Sequence, residues 1–293
     1  MNLKTRLPLL VLICSLMVGC ATKRIAGWNK ATSSTTLSSK DEKLLFKTAM
    51  KHWEERDHKE QLVKSLKALE TLAISSPDNY EYLVYLCRGK YILADGHVDD
   101  MEEKKRLWEE GVTWGEKAMA TNSDFAAKIK LVEGKVEAAL DTLTKNEIES
   151  IYWTAVNLGK WGKNSGIATI LKYKTRIKKM INKVGELDKD FFHGAFHRYW
   201  GAYYAAAPSF AGGDINKSFD SFTKAIEAEK NYLGSYVLFA SYYATKKGNK
   251  KLFQEKLNYV LNAKSDVIDA ITPENNIEKN KAKKLLSNID ELF

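Results

Sequence analysis

The chain has 293 residues, 44% of them hydrophobic and 28% charged, with a formal net charge of +9. That is enough apolar material for a sizeable core, while three cysteines are too few for a disulfide scaffold. The basic excess falls in pairs such as Lys178-Lys179, Lys246-Lys247, Lys250-Lys251 and Lys283-Lys284. These read as solvated helix faces suited to an acidic partner or anionic lipid, not as a nucleic-acid surface.

The first twenty residues read as a targeting segment. Lys4 and Arg6 form a basic start, and the apolar run Leu7 to Val18 is short for a bilayer span. It ends in Leu16-Met17-Val18-Gly19-Cys20, which resembles a bacterial lipobox. Residues 1–19 are then a signal peptide and Cys20 carries the lipid; an uncleaved anchor and a plain secretory signal are the competing readings. Cleavage lowers the formal charge from +9 to +7 and removes Cys14. Cys87 is left as the one free thiol, and its neighbours Leu83, Leu86 and Tyr91 point to a buried structural role. Residues 20–39 are rich in Ser and Thr without a sustained period. They read as a flexible tether with a reach of roughly 25 Å. Ala21 follows the cysteine, which favours outer-membrane sorting by resemblance to lipoproteins.

Residues 40–293 are expected to form one helical-repeat domain. The period is helical throughout, and no strand run or further span is found. Helices are predicted at 40–55, 58–75, 78–94, 100–121, 124–142, 145–162, 166–186, 189–206, 214–229, 232–247, 250–262 and 275–291. Ser39-x-x-Glu42, Asp57-x-x-Glu60 and Thr144-x-x-Glu147 match capping boxes. Pro77 after Ser76 suits a first helical turn, and Asp214 after Gly212-Gly213 suits an N-cap. The helices also repeat as pairs of tetratricopeptide type, with small residues where two helices cross. Ala155, Leu158, Gly159 and Gly162 face Ile177, Ile181 and Val184. Val237, Ala240, Ser241 and Ala244 face Phe253, Leu257 and Val260. The fold class is all-α, a solenoid or bundle of helix pairs.

Aromatic residues concentrate late in the chain: 15 of the 53 residues from Phe191 to Tyr243. Read as a helix, Phe192, Phe196, Trp200 and Tyr204 form one stripe, with Tyr199 and Tyr203 beside it. Gly201 and Ala205 continue a second stripe below His193 and His197. Such a helix sits in an inner layer, filling either an ordinary tight core or the wall of a cavity or partner surface. His193 and His197 have metal-ligand spacing, with Asp190 a third candidate, but Gly194 replaces the glutamate of the protease motif. Packing or polar contacts by His197 and Arg198 are the preferred reading. Gly212-Gly213-Asp214 lacks the Gly-Lys-Ser/Thr of a phosphate loop and reads as a capped turn.

Two segments carry a family resemblance. One is Tyr152-Trp153-Thr154-Ala155-Val156-Asn157-Leu158-Gly159-Lys160-Trp161. The other runs from His197-Arg198-Tyr199-Trp200-Gly201 through Pro208, Gly212-Gly213-Asp214 and Phe222-Thr223-Lys224-Ala225-Ile226. This ordered set resembles the T-component lipoproteins of tripartite ATP-independent periplasmic (TRAP) transporters, the TatT type, from about Tyr152 to Leu261 and more faintly back to about Leu44. The resemblance implies a non-catalytic accessory lipoprotein that forms a homotrimer; on the residues themselves, no cofactor and no metal site is expected. It implies docking of a periplasmic substrate-binding protein and an apolar channel that passes a hydrophobic small ligand. A partner-binding or ligand-lining surface is expected on the helices carrying Tyr152, Trp153, Tyr199, Tyr203, Tyr236 and Tyr242. The alternatives are a generic envelope scaffold that binds protein segments and a hydrolase or metalloenzyme hidden in a helical fold.

Overall fold

The structure, a computed structural model, describes residues 24–30 and 36–293. Cys20, the expected signal segment and the expected cleavage point lie outside them. Among the described residues there are twelve α-helices and no strand. No helix among them is long and apolar enough to cross a membrane. The helices are α1 (Ser39–Glu54), α2 (Lys59–Ser75), α3 (Tyr80–Gly96), α4 (Met101–Ala120), α5 (Ser123–Leu131), α6 (Ile148–Asn164), α7 (Ile167–Leu187), α8 (Phe191–Ala206), α9 (Ile215–Ala228), α10 (Gly234–Leu238), α11 (Lys250–Asn262) and α12 (Thr272–Ser287).

Local signals set most of these boundaries. Short polar side chains at Ser38, Asn79, Asp100, Asn122, Asp214 and Asn249 each accept a backbone N–H of the turn they open. Such caps satisfy donors that have no partner inside the helix. Asp214 and the Thr144–Glu147 box cap as expected. At α1 the cap is Ser38, one residue before the expected Ser39. Asp57 does not cap α2; its carboxylate accepts from Asn276 at 2.8 Å instead. Pro77 lies in the turn between α2 and α3, because Asn79 outcompetes Ser76 as the cap.

Successive helices pack as pairs: α1 with α2, α3 with α4, α6 with α7, α8 with α9 and α11 with α12. α2 also packs on α3, α4 on α6, and α7 on α8, so the pairs stack in chain order. The α4–α6 crossing shows why small residues recur. A Cβ on Gly115 would collide with the Thr154 hydroxyl, and one on Gly111 would lie 2.6 Å from the Asn157 amide. Three buried clusters follow. One is built mainly on α1–α4, one on α4–α8, and one on α10–α12.

Three expectations are corrected here. The helix expected over 124–142 stops at Leu131. Glu133 and Gly134 take positive φ, and the Gly134 N–H returns to the Ile129 carbonyl at 2.8 Å, a glycine-type helix stop. Two short 3-10 turns, Val136–Ala138 and Leu140–Thr142, cover the remainder. Second, α8 does not start as a right-handed helix. Phe192, His193 and Gly194 are all left-handed, with φ of 43°, 58° and 78°. The aromatic stripe therefore begins at Phe196, and the two imidazoles are not one regular turn apart. Third, Arg24 to Lys30, expected within a free tether, dock on α4, with Gly27–Asn29 forming a 3-10 turn. A buried glutamate on α4 supplies the physical reason.

Candidate functional site

The stacked pairs converge on α3, which mixes apolar residues with a few lone charges. Arg88 and Asp95 sit in a run of Tyr, Leu, Ile and Val. Charges in such a setting need partners, since an unpaired buried ion is very costly. α12 supplies them. Glu274 accepts from Arg56 at 2.6 and 2.9 Å and from Arg88 at 2.7 Å. Asp95 accepts from Lys281 at 2.5 Å and also pairs with Lys160 of α6. The C-terminal helix is thereby locked to the N-terminal half across roughly two hundred residues of sequence.

Burial alone pushes the Glu274 carboxyl upward, but Arg88 and Arg56 outweigh it and hold it below the ordinary value. Asp95 follows the same logic: desolvation is overcome by Lys160 and Lys281, and the carboxyl titrates well below the usual range. The two lysines are raised in return by Asp95, against their own desolvation.

Aromatic rings close around it. The Arg88 guanidinium lies 5.5 Å from the Trp53 ring, 5.4 Å from Trp153 and 5.0 Å from Phe192, within cation–π range. Trp153 touches Tyr91, Tyr152 and Phe192 at centroid distances of 5.5, 4.9 and 5.0 Å. Arg198, buried on α8, holds the left-handed turn: its guanidinium donates to the Phe192 carbonyl at 2.7 Å and to that of His193. It also lies 4.1 Å from the Tyr232 ring. His193 stacks on Tyr232 at 5.6 Å, and its imidazole is lowered first by burial and then by Arg198. A single residue thus satisfies two carbonyls that a regular helix would have used, and strain of this kind persists only where surroundings over-determine it.

Between these groups lies a small chamber of about 30 Å³, bordered by Tyr91, Asp95, Trp153, Tyr232, Glu274 and Lys281. That is room for about one water molecule. The Arg88 Nε–H and the Trp153 indole N–H make no hydrogen bond within the protein. Of the two, Trp153 borders the chamber, beside the carboxylates of Asp95 and Glu274, so the border carries both a donor and acceptors for a small polar occupant.

The sequence-derived residues fall in separate places. Tyr152 and Trp153 are buried beside this chamber. Tyr199 and Tyr203 are half-buried on α8 and stack at 6.3 Å, with Lys178 lying 5.1 Å from the Tyr203 ring. Tyr236 is buried in the C-terminal cluster, stacked on Tyr259 at 4.3 Å. Tyr242 is half-buried, with Lys163 at 5.4 Å from its ring. Aromatic density found the ring-bearing helices but missed Arg56, Arg88, Asp95, Lys160, Glu274 and Lys281. The signal that could have found some of them was the lone charges inside apolar α3. Among the described residues no group of three or more His, Cys, Asp or Glu is placed to hold a metal ion.

A family model described as TRAP transporter T-component matches residues 59–293. No curated protein matches the chain.

Proposed function

The chain belongs to the TRAP transporter T-component family, and from that premise we propose that it is a periplasm-facing lipoprotein, anchored through Cys20, that docks the transporter's substrate-binding protein. The accessory role in TRAP transport and the place at the bacterial envelope come with the family. The docking, the lipid, a homotrimeric assembly and an outer-membrane anchor are our reading.

The observation that carries docking is the aromatic face of α8. Tyr199, Trp200, Tyr203 and Tyr204 are all half-buried and form an unbroken set of ring contacts between 5.3 and 6.3 Å. Partly exposed Tyr and Trp clusters are the usual anchors of protein interfaces. Tyr152, Trp153 and Tyr236 are buried and reach a partner only through rearrangement. Passage of a hydrophobic ligand through the subunit is the second element of the reading. The chamber beside Trp153 has aromatic walls, but its volume of about 30 Å³ requires α12 to move aside first. That volume favours the other reading, a scaffold that binds protein without passing a ligand.

Co-purification of the chain with a TRAP substrate-binding protein tests the docking claim. A complex weakened at least tenfold by Tyr203→Ala, in a variant with unchanged helicity, is the expected result. Failure of two folded partners to associate at high micromolar concentration removes the docking claim. Sedimentation of the free chain as a monomer removes the trimer.

A further inference from the structure

Glu116, on α4, has 0% side-chain exposure and three partners. It accepts the Gly27 N–H at 2.6 Å and pairs with Arg24 at 3.2 Å and Arg176 at 2.8 Å. Arg24, with 2% of its side chain exposed, also donates to the Thr113 hydroxyl at 3.0 Å and the Glu109 carbonyl at 3.3 Å. The Trp161 ring lies 5.7 Å from its guanidinium. Gly27 is buried, and a Cβ there would collide with the Thr113 carbonyl oxygen. Trp28 meets Phe125 of α5 edge-on at 6.2 Å. Releasing this segment would strip the buried Glu116 of Arg24 and of the Gly27 N–H, two of its three partners, leaving Arg176 alone to hold it, which is disfavoured.

We propose that residues 24–30 form a strap that holds the α4–α5–α7 side of the body against the membrane, with the basic face of α7 on anionic lipid headgroups. The proposal rests on lipidation of Cys20. Cys20 precedes Arg24 by four residues, and a chain spans at most about 3.6 Å per residue. The docked Arg24 is then within about 14 Å of the lipidated residue. Were the strap free, the chain up to Leu37, whose N–H is held by Ser75 at 2.9 Å, could stretch to roughly 60 Å. The strap converts a loose leash into a short, oriented mount.

The charge on that side suits an anionic bilayer. α7 carries Lys172, Lys174, Arg176, Lys178, Lys179 and Lys183 against Glu186 alone. Arg176 turns inward to Glu116. Helical spacing puts Lys172, Lys179 and Lys183 on the same stripe, and Lys172 and Lys179 are exposed. Basic clusters next to a lipid anchor are drawn to anionic headgroups.

The test uses the full lipidated chain with Leu131→Cys, an exposed position at the end of α5, carrying a fluorescent donor; Cys87 is buried and does not compete. Energy transfer is read to a headgroup-labelled lipid in vesicles. On neutral phosphatidylcholine, inserting a Gly/Ser spacer of about twenty residues between Lys23 and Arg24 should lower transfer at least twofold without changing Tm, because the strap stays docked while its distance from the lipid grows. Unchanged transfer overturns the strap. On phosphatidylglycerol-containing vesicles the spacer chain should recover transfer and lose it again in K172Q/K179Q. No recovery, or recovery indifferent to those substitutions, overturns the headgroup contact and leaves α7 to an acidic protein partner. Intact mass separates the premise: a mature chain with no lipid on Cys20 removes the lipoprotein reading, whereas a lipidated chain that fails the spacer comparison removes the strap alone.

Discussion

Glu274 illustrates how one carboxylate can tie distant segments together. It faces two arginines from α3 and the α1–α2 turn, and in Glu274→Gln both guanidiniums lose their counter-charge in a buried place. The expected loss is about 3–5 kcal/mol of unfolding free energy, measured by urea titration. The pH dependence has a definite sign. Because the folded carboxyl titrates below its ordinary value of 4.5, its contribution is complete above about pH 4.5 and is lost as pH falls through the folded pKa. Glu274→Gln should remove that part of the acid sensitivity, so that the stability difference from the parent shrinks below pH 4.5. A difference that stays constant with pH would show that the lost stability is not electrostatic. The partners of Glu274 were not legible in the sequence, since nothing in Glu274-Asn275-Asn276-Ile277 points to a residue two hundred positions earlier. What was legible is that Arg88 and Asp95 interrupt an apolar helix and had to be paired.

At the scale of elements, chemistry close in sequence decided starts and stops, and packing decided spacing. The end of α5 came from Glu133 and Gly134 taking left-handed φ, which an unbroken apolar period through Val132 and Val136 had hidden. The rod expected over 232–247 forms from Gly234 onward but contains a π-helical stretch, Phe239–Ala244, a register shift that periodicity does not reveal. Two glycines separate propensity from packing. Gly115 has no room for a methyl group between Thr154 and Cys87, whereas Gly159, inside α6, has nothing within 4 Å. Gly115→Ala is expected to cost several kcal/mol, about 3 or more, by forcing α4 from α6. Gly159→Ala should stabilise by about 0.5–1 kcal/mol, because Ala loses less backbone freedom on forming a helix. Thermal unfolding of the two variants checks both signs, and equal effects would contradict the packing account.

Across the molecule, the stacked pairs act as one body because ionic and aromatic contacts bridge the clusters. α12 reaches back to Arg56, Arg88 and Asp95, and the strap reaches forward to Glu116. Cys87, at the α3–α4–α6 junction, reports on that unity. Burial pushes its thiol up to about 12, the side-chain contacts with Thr154 and Asn157 offsetting only part of this. In the native protein at pH 8 its reaction with a disulfide reagent should be at least about 10³ slower than in urea. Its rate should follow global unfolding and not local opening. Fast native labelling would show that the junction opens independently of the rest.

The sequence by itself determined the all-α class, the order of the helices, the pairing of α6 with α7 and of the Val237 rod with α11, and the family. These follow from apolar period, short polar caps and residue size, all of which act over a few positions. Tertiary structure alone decided that α12 closes onto α3, that Arg198 holds a left-handed turn, and that the segment from Arg24 to Lys30 is docked. The first and third depend on a buried charge finding an opposite charge far along the chain, and the second on a buried guanidinium donating to two carbonyls five and six residues before it. The driving force for such pairing, avoidance of an unpaired ion in a low-dielectric interior, has no period and leaves no local pattern to read.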